Sequence, residues 1–237
     1  MAPNRARVAL CVMTAVVVGG CAPRETPGPE ETGRGRSAAN APSARAPAES
    51  GPRIVALGDS LTAGLGLAAD EAYPALLQQR LDTAGLKYQV VNAGVSGDTS
   101  AGGLSRLDWA LAGDVQVLIV ALGGNDALRG LPIDELRHNL SAIIEGAQAR
   151  GIAVILAGME APPNFGRSYI VEFHEVYREL AKQYGVAFLP FLLEGVAGVE
   201  SLNQRDGIHP TAQGARLVAN NVWAVLRPIL EKRAGRK

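Results

Sequence analysis

The chain has few of the residues on which metal centres, disulfide frameworks and nucleic-acid surfaces are built. Its 237 residues include two cysteines, three histidines and 5% aromatic residues, and its 23 lysines and arginines are balanced by 23 aspartates and glutamates. Because the formal net charge is zero and no basic run occurs, we do not expect a nucleic-acid partner. Since no cysteines and histidines cluster at ligand spacing, we expect no metal site either.

Long hydrophobic runs are also missing, apart from one at the start of the chain. In "MAPNRARVALCVMTAVVVGGCAPRE", two arginines precede an apolar stretch over residues 8–18, and small residues follow it. That order predicts a signal peptide over residues 1–20, and the stretch is too short for a membrane span. The exit "VGGC" resembles a lipobox, in which cleavage before Cys21 leaves a lipid on that residue. A plain secretory signal with an incidental cysteine remains the alternative.

Residues 22–52 lack large apolar side chains and are rich in proline, alanine, glycine and serine. Such a segment buries too little surface to offset its ordering entropy, so residues 21–52 are predicted to be a lipidated cysteine and a disordered tether. Removal of the signal peptide takes Cys11 with it, which leaves no intramolecular disulfide. We therefore expect an exported, membrane-anchored protein that faces the periplasm or the cell exterior. Its globular part, residues 53–237, is expected to be monomeric.

Two patterns alternate within this globular part. Short, continuous apolar runs predict buried parallel strands, at 53–58, 88–94, 115–124, 152–159 and 186–191. Amphipathic segments predict the intervening helices, at 71–84, 101–111, 133–149, 167–184 and 211–230. Five such units predict one α/β domain, a three-layer α/β/α sandwich around a five-stranded parallel sheet.

Polar turns follow these strands, and ligands of such sheets bind beyond the carboxyl ends of the strands. The turns read "GDSLTAGLG", "NAGVSGDTS", "GGNDALRG" and, near the C-terminus, "DGIHP". Together they hold the groups for serine acyl transfer: Ser60 as nucleophile, His209 as general base and Asp206 as its orienting carboxylate. The amides of Ser60 and Gly94 and the side chain of Asn125 are the predicted oxyanion donors.

These four blocks, in this order, resemble those of the SGNH, or GDSL, hydrolase superfamily. The chain is most similar to its bacterial multifunctional thioesterase, arylesterase and lysophospholipase group, through "YPALLQQRL", "SGDTSAGGLSRL" and "PPNFGRSYIVEFHEVYRELAKQYGVAFLPF". The resemblance covers residues 53–230 and implies a flavodoxin-like fold with the same five site residues. It also implies a cofactor-independent esterase that forms an acyl-enzyme on acyl or aryl esters, with thioesters and lysophospholipids as further small-molecule substrates.

Two other functions stay open at this stage. One is a glycan or polysaccharide O-deacetylase of the same superfamily, and the other is a non-catalytic surface-binding lipoprotein that keeps the fold. Three acidic residues within the blocks are predicted to be structural hydrogen-bond acceptors: Asp59, Asp98 and Asp126. The remaining histidines, His138 and His174, fall in helical patterns beside polar residues and are predicted to lie on the surface.

Overall fold

The computed structural model describes residues 51–234. The predicted signal peptide, Cys21 and the tether up to residue 50 lie outside the described residues. The strands are β1 (Arg53–Gly58), β2 (Gln89–Gly94), β3 (Val115–Ala121), β4 (Ala153–Ala157) and β5 (Ala187–Leu189). The α-helices are α1 (Ser60–Ala63), α2 (Tyr73–Thr83), α3 (Ser100–Ser105), α4 (Leu107–Ala110), α5 (Gly124–Leu128), α6 (Ile133–Gln148), α7 (Arg167–Tyr184) and α8 (Ala212–Ala234). Short 3₁₀ turns cover Pro163–Phe165 and Glu200–Leu202.

The five strands form one parallel sheet in the order β2-β1-β3-β4-β5, as the alternating pattern predicted. Gly58, at the end of β1, is in register with Gly94 of β2 and Ala121 of β3. The turns that leave these three neighbouring strands therefore start at one level of the sheet. The strand order reverses beside β1, which is where ligand sites of open parallel sheets form.

Helices cover both faces of the sheet and complete the predicted three-layer sandwich. Helices α2 and α8 pack together, while α6 packs between α3 and α7. The central strands β1, β3 and β4 are almost entirely buried, because each strand has helices on both faces. Within residues 51–234, no helix is long and apolar enough to cross a membrane.

Several predicted boundaries differ from the observed ones by a few residues, and two of these differences lie next to the functional turns. The helix predicted over 101–111 is two short helices, α3 and α4, which meet at Arg106. Strand β3 ends at Ala121 rather than at residue 124. Gly123, with φ of 112°, turns the chain there into α5, and this positive φ is open mainly to glycine.

The side chain of Arg106 explains the break between α3 and α4. It points back to the sheet edge, where its guanidinium donates to Asp98 Oδ2 at 2.8 Å, Ala93 O at 2.7 Å and Gly58 O at 2.9 Å. The Arg106 and Asp98 side chains are only 17% and 14% exposed. One nearly buried cation therefore joins the ends of β1 and β2 to the loop that follows β2.

We predict that Arg106→Met destabilises the fold by about 3 kcal/mol, because it removes the cation that neutralises the nearly buried Asp98 carboxylate and its hydrogen bonds to the carbonyls of Ala93 and Gly58. The free energy of unfolding in urea measures the loss. Arg150→Met is the matched control, since Arg150 pairs with Asp108 at a site where the two side chains are 42% and 90% exposed. That exposed pair contributes no more than about 1 kcal/mol. Similar losses in the two variants would contradict a structural role for the buried guanidinium.

Candidate active site

The structure brings together the three residues predicted to act in catalysis. Ser60 is the first residue of α1, directly beyond β1, and His209 lies in the loop before α8. The Nε2 atom of His209 is 2.9 Å from Ser60 Oγ, and its Nδ1 atom is 2.7 Å from Asp206 Oδ2. A hydroxyl, an imidazole and a carboxylate are thus connected in series, which is the arrangement that activates a serine nucleophile.

Asp206 is held ionised by the backbone that follows it. Its Oδ1 atom accepts hydrogen bonds from the amides of His209 at 3.0 Å and Ile208 at 2.9 Å. These bonds, that of the His209 amide foremost, lower the pKa of Asp206 to about 2. The carboxylate beside Nδ1 favours the tautomer that carries its proton there, so Nε2 is free to accept the proton of Ser60.

Gln204 was not among the predicted site residues, yet its hydrogen bonds connect the loop that carries His209 to the segment that follows the Ser60 helix. Its amide donates to His209 O at 2.7 Å, and its side-chain Nε2 donates to Leu65 O at 2.7 Å and Pro210 O at 3.0 Å. The Leu65 amide in turn donates to Ser60 O at 3.1 Å. Gln204 therefore positions the histidine loop against the serine helix. The only sequence signal for it is its place two residues before Asp206.

Asn125 reaches the same site from the start of α5. Its Nδ2 donates to Asp98 O at 3.0 Å and to Asp59 Oδ2 at 3.3 Å, beside the nucleophile. The shorter bond fixes the amide group against the loop after β2. The longer bond is near the outer limit for a hydrogen bond, so it holds the amide group only weakly on the side of Asp59.

The predicted donor Gly94 has a different structural role. Its amide already donates to Asn92 Oδ1 at 3.0 Å. A Cβ at this position would lie 2.2 Å from Ala63 N, so the end of β2 requires glycine in order to pack against α1. Close packing and an engaged amide account for Gly94 without a bound ligand.

Gly97, three residues further along the same loop, was not predicted. Among the described residues its amide has no hydrogen-bond acceptor, and its carbonyl accepts from Arg129 Nη2 at 2.6 Å. It directly precedes Asp98, the residue whose carbonyl holds the Asn125 side chain. The Gly97 amide is therefore an available donor next to Asn125. Block "NAGVSGDTS" contains both glycines, and only the hydrogen bonds distinguish them.

Asp59 is a structural acceptor, as predicted, and it lies in an unusual environment. It is 2% exposed, and its Oδ1 accepts the Leu61 amide at 3.0 Å. Burial raises the pKa of Asp59 to about 6, although the Leu61 bond, the nearby His209 and the Asn125 bond oppose that rise. This carboxyl is therefore unsuited to the role of an always-ionised partner for the histidine.

The other polar predictions also agree with the structure. The Asp98 carboxylate accepts the Arg106 guanidinium, and buried Asp126 accepts the amide of Ser100 at 2.8 Å and its hydroxyl at 2.5 Å. Both acids therefore anchor the loop after β2. His138 and His174 are exposed on α6 and α7.

The space enclosed beside the Ser60–His209 pair is very small. A mostly apolar cavity there has a volume of about 10 Å³. Its lining includes Leu65, Leu67, Tyr73, Leu193 and Val218. A cavity of that size holds roughly one water molecule. This cavity is therefore too small to enclose an acyl chain.

A serine, an imidazole and a carboxylate at the carboxyl edge of a parallel sheet define a serine hydrolase of the α/β class. Residues 56–217 match the GDSL-like Lipase/Acylhydrolase family, and the chain belongs to that family. The family resemblance of the four sequence blocks is thereby confirmed. The "GDS" turn with Ser60 and the "DGIH" loop with Asp206 and His209 both fall within the matched residues.

Individual relatives are similar over most of their length. The chain is 47% identical over 178 residues to the esterase TesA of Pseudomonas aeruginosa, and the aligned residues cover 75% of this chain and 89% of the relative. It is 37% identical over 178 residues to thioesterase 1/protease 1/lysophospholipase L1 of Escherichia coli, across 75% and 84% of the two chains. A crystal structure of TesA matches with a TM-score of 0.72 at 45% identity, over 74% of this chain and 98% of that one. The protein is a serine ester hydrolase.

We predict that the ionisation of Asp59 makes the folded protein less stable as the pH rises. Its folded-state pKa of about 6 lies above the ordinary value of 3.8, so its ionisation opposes folding and stability falls as the pH rises through 6. The shift corresponds to a total of roughly 3 kcal/mol. Asp59→Asn cannot ionise, so its stability relative to wild type should improve by up to that amount between pH 4 and pH 7.5.

Urea unfolding at a series of pH values measures this difference. The Asn125 bond also changes in Asp59→Asn, which adds a constant offset between the two proteins. The test is therefore the pH dependence of the difference. A difference that stays constant from pH 4 to pH 7.5 would show that Asp59 ionises normally.

Proposed function

We propose that Ser60 attacks the carbonyl carbon of an ester while His209 Nε2 takes its proton. Asp206 stabilises the imidazolium that forms, the alcohol leaves with the proton from His209, and an acyl-Ser60 intermediate remains. Water, deprotonated by His209, then releases the acid and restores the serine. The observation that carries this proposal is the 2.9 Å contact between His209 Nε2 and Ser60 Oγ.

The proposed oxyanion site consists of the Ser60 amide, the Gly97 amide and the Asn125 side chain. The Ser60 and Gly97 amides have no acceptor within residues 51–234, which supports their role as donors to a ligand. Gly97 replaces the originally predicted Gly94, because the Gly94 amide is already bonded to Asn92. Removal of one such donor in other enzymes slows turnover by about 10²–10³-fold.

The proposed substrates are carboxylic acyl and aryl esters, with acyl thioesters and lysophospholipids as further members of the class. The names of the relatives, an esterase and a thioesterase 1/protease 1/lysophospholipase L1, support this range. An O-deacetylase activity is the second candidate. Its support is an acetylxylan esterase of Xylanibacter ruminicola, 28% identical over 223 residues, which span 77% of this chain and 44% of that protein.

The location of the protein is likewise a proposal. The charged start, the apolar stretch over residues 8–18 and the "VGGC" exit support export followed by lipid attachment at Cys21. Residues 21–52 would then connect the lipid to the catalytic domain at Arg53. Under this proposal the active site lies outside the cytoplasm, where alcohol esters are more accessible than coenzyme A thioesters.

Ser60→Ala should reduce hydrolysis of nitrophenyl acyl esters by at least about 10³-fold, because no other group can form the acyl intermediate. The circular dichroism spectrum should stay that of the wild type. A fluorophosphonate probe should label the wild-type chain and fail to label the variant. Undiminished ester hydrolysis by Ser60→Ala would refute the mechanism, and an unlabelled wild-type chain would favour a non-catalytic binding protein.

A series of nitrophenyl esters from acetyl to palmitoyl should separate the two candidate substrate classes. We expect turnover to extend to octanoyl and longer chains, because the site opens to the surface and so sets no enclosed limit on chain length. The values of kcat/KM across the series are the measurement. Activity confined to the acetyl ester would favour the O-deacetylase.

A further inference from the structure

Each loop that carries a catalytic group also exposes a large apolar side chain. Leu65 follows the Ser60 helix, Val95 directly follows β2, Leu128 ends the Asn125 helix, and Ile208 precedes His209. These four side chains, here called the apolar rim, are 47%, 47%, 49% and 45% exposed. They make up more than half of the seven large hydrophobic residues that are exposed within residues 51–234. Isolated exposed apolar residues are ordinary, but a set confined to the catalytic loops indicates a binding role.

The loops that carry the rim residues divide them into two pairs around Ser60. Leu65 lines the small cavity together with Ser60 and His209, and Ile208 belongs to the loop that carries that histidine. Leu65 and Ile208 therefore form the histidine-side pair.

The second pair lies with the oxyanion donors. The Val95 amide donates to Gly58 O at 3.0 Å, at the end of β1 and two residues before Ser60. Leu128 lies three residues after Asn125 in the short helix α5. Val95 and Leu128 therefore form the donor-side pair, and the rim borders the site from more than one of its loops.

One bound acyl chain does not account for both pairs. The enclosed cavity of about 10 Å³ cannot take the chain, so the chain must leave Ser60 along the surface. A single extended acyl chain runs in one direction from the ester carbonyl and accounts for one pair, and the polar leaving group of a monoacyl phospholipid does not account for the other. Docking of all four exposed side chains on a lipid surface would remove their apolar area from water, which is favourable.

We infer that the apolar rim docks on the surface of aggregated lipid, so that the enzyme takes its substrate, a monoacyl phospholipid, directly from that surface. This inference rests on the proposed function. The length of chain outside the structure is compatible with it. Under the proposed lipid attachment, residues 22–52 separate Cys21 from Arg53, and a flexible chain of roughly 30 residues has an end-to-end distance of about 30 Å. Strand β1 is about 20 Å long, so a tether of that reach would allow the carboxyl edge of the sheet to meet the membrane surface.

Two double variants test the rim, one for each pair: Leu65→Gln with Ile208→Gln, and Val95→Thr with Leu128→Gln. Trp109→Gln is the control, because Trp109 is 71% exposed on α4, outside the catalytic loops. All proteins keep the whole chain, so residues 1–50 contribute equally to each. Fatty acid release from lysophosphatidylcholine is measured below and above its critical micelle concentration. Hydrolysis of nitrophenyl acetate, which stays monomeric, is measured in parallel.

We expect the wild-type and Trp109→Gln rates to rise steeply once micelles form. Each double variant should lower the ratio of micellar to monomeric rate by about tenfold, because two half-exposed apolar side chains are lost from the contact. A loss in only one double variant would indicate a groove for a single acyl chain and would overturn surface docking. A loss in neither variant would overturn it as well.

The failure of docking is distinguishable from the failure of the proposed function. If wild type hydrolyses nitrophenyl acetate but its rate on lysophosphatidylcholine does not rise above the critical micelle concentration, docking is wrong and the esterase mechanism stands. If wild type fails to hydrolyse both esters, the proposed function is wrong and the inference built on it falls too.

Discussion

The guanidinium of Arg106 is the interaction on which the geometry of the site depends. It binds the carbonyl of Gly58, which precedes the serine turn, and the carboxylate of Asp98, in the loop that presents Gly97 and holds Asn125. One nearly buried cation therefore fixes the positions of the turn with the proposed nucleophile and of the loop with the proposed oxyanion donors. Such a cation is tolerable in the interior because the Asp98 carboxylate neutralises it and the strand-end carbonyls take its remaining donors. The helix over 101–111 breaks at Arg106 so that this side chain can reach the sheet edge.

Two carboxyl groups near His209 have opposite properties because their environments differ. Asp206 lies in an exposed turn, where two backbone amides and the imidazole lower its pKa to about 2. Asp59 is buried beside the nucleophile, and the loss of water raises its pKa to about 6. Asp206 can therefore orient and stabilise the imidazolium at any ordinary pH, while Asp59 accepts a backbone hydrogen bond at the turn after β1.

The site encloses little space, so the loops that hold the catalytic groups must also provide the contacts to the substrate. The catalytic groups are positioned by hydrogen bonds among loops, with Gln204 joining the histidine loop to the serine helix. The enclosed space beside them admits about one water molecule. Apolar contacts with an acyl substrate must therefore come from exposed side chains of the same loops, and one set of loops supplies both the chemistry and the apolar rim.

The sequence by itself determined the five parallel strands, their order with the helices, and the turns whose side chains Ser60, Asp206 and His209 meet at one edge of the sheet. These features follow from local patterns: continuous apolar runs, helical periodicity, and turn motifs that each come directly after a strand. Only the tertiary structure decided that the Gly94 amide is engaged while the Gly97 amide is available, that the helix breaks at Arg106, and that Gln204 joins two loops. Each depends on a hydrogen bond or a close approach between segments brought together by folding, such as Gln204 to Leu65, 139 positions apart. Such contacts produce no periodic pattern in the sequence.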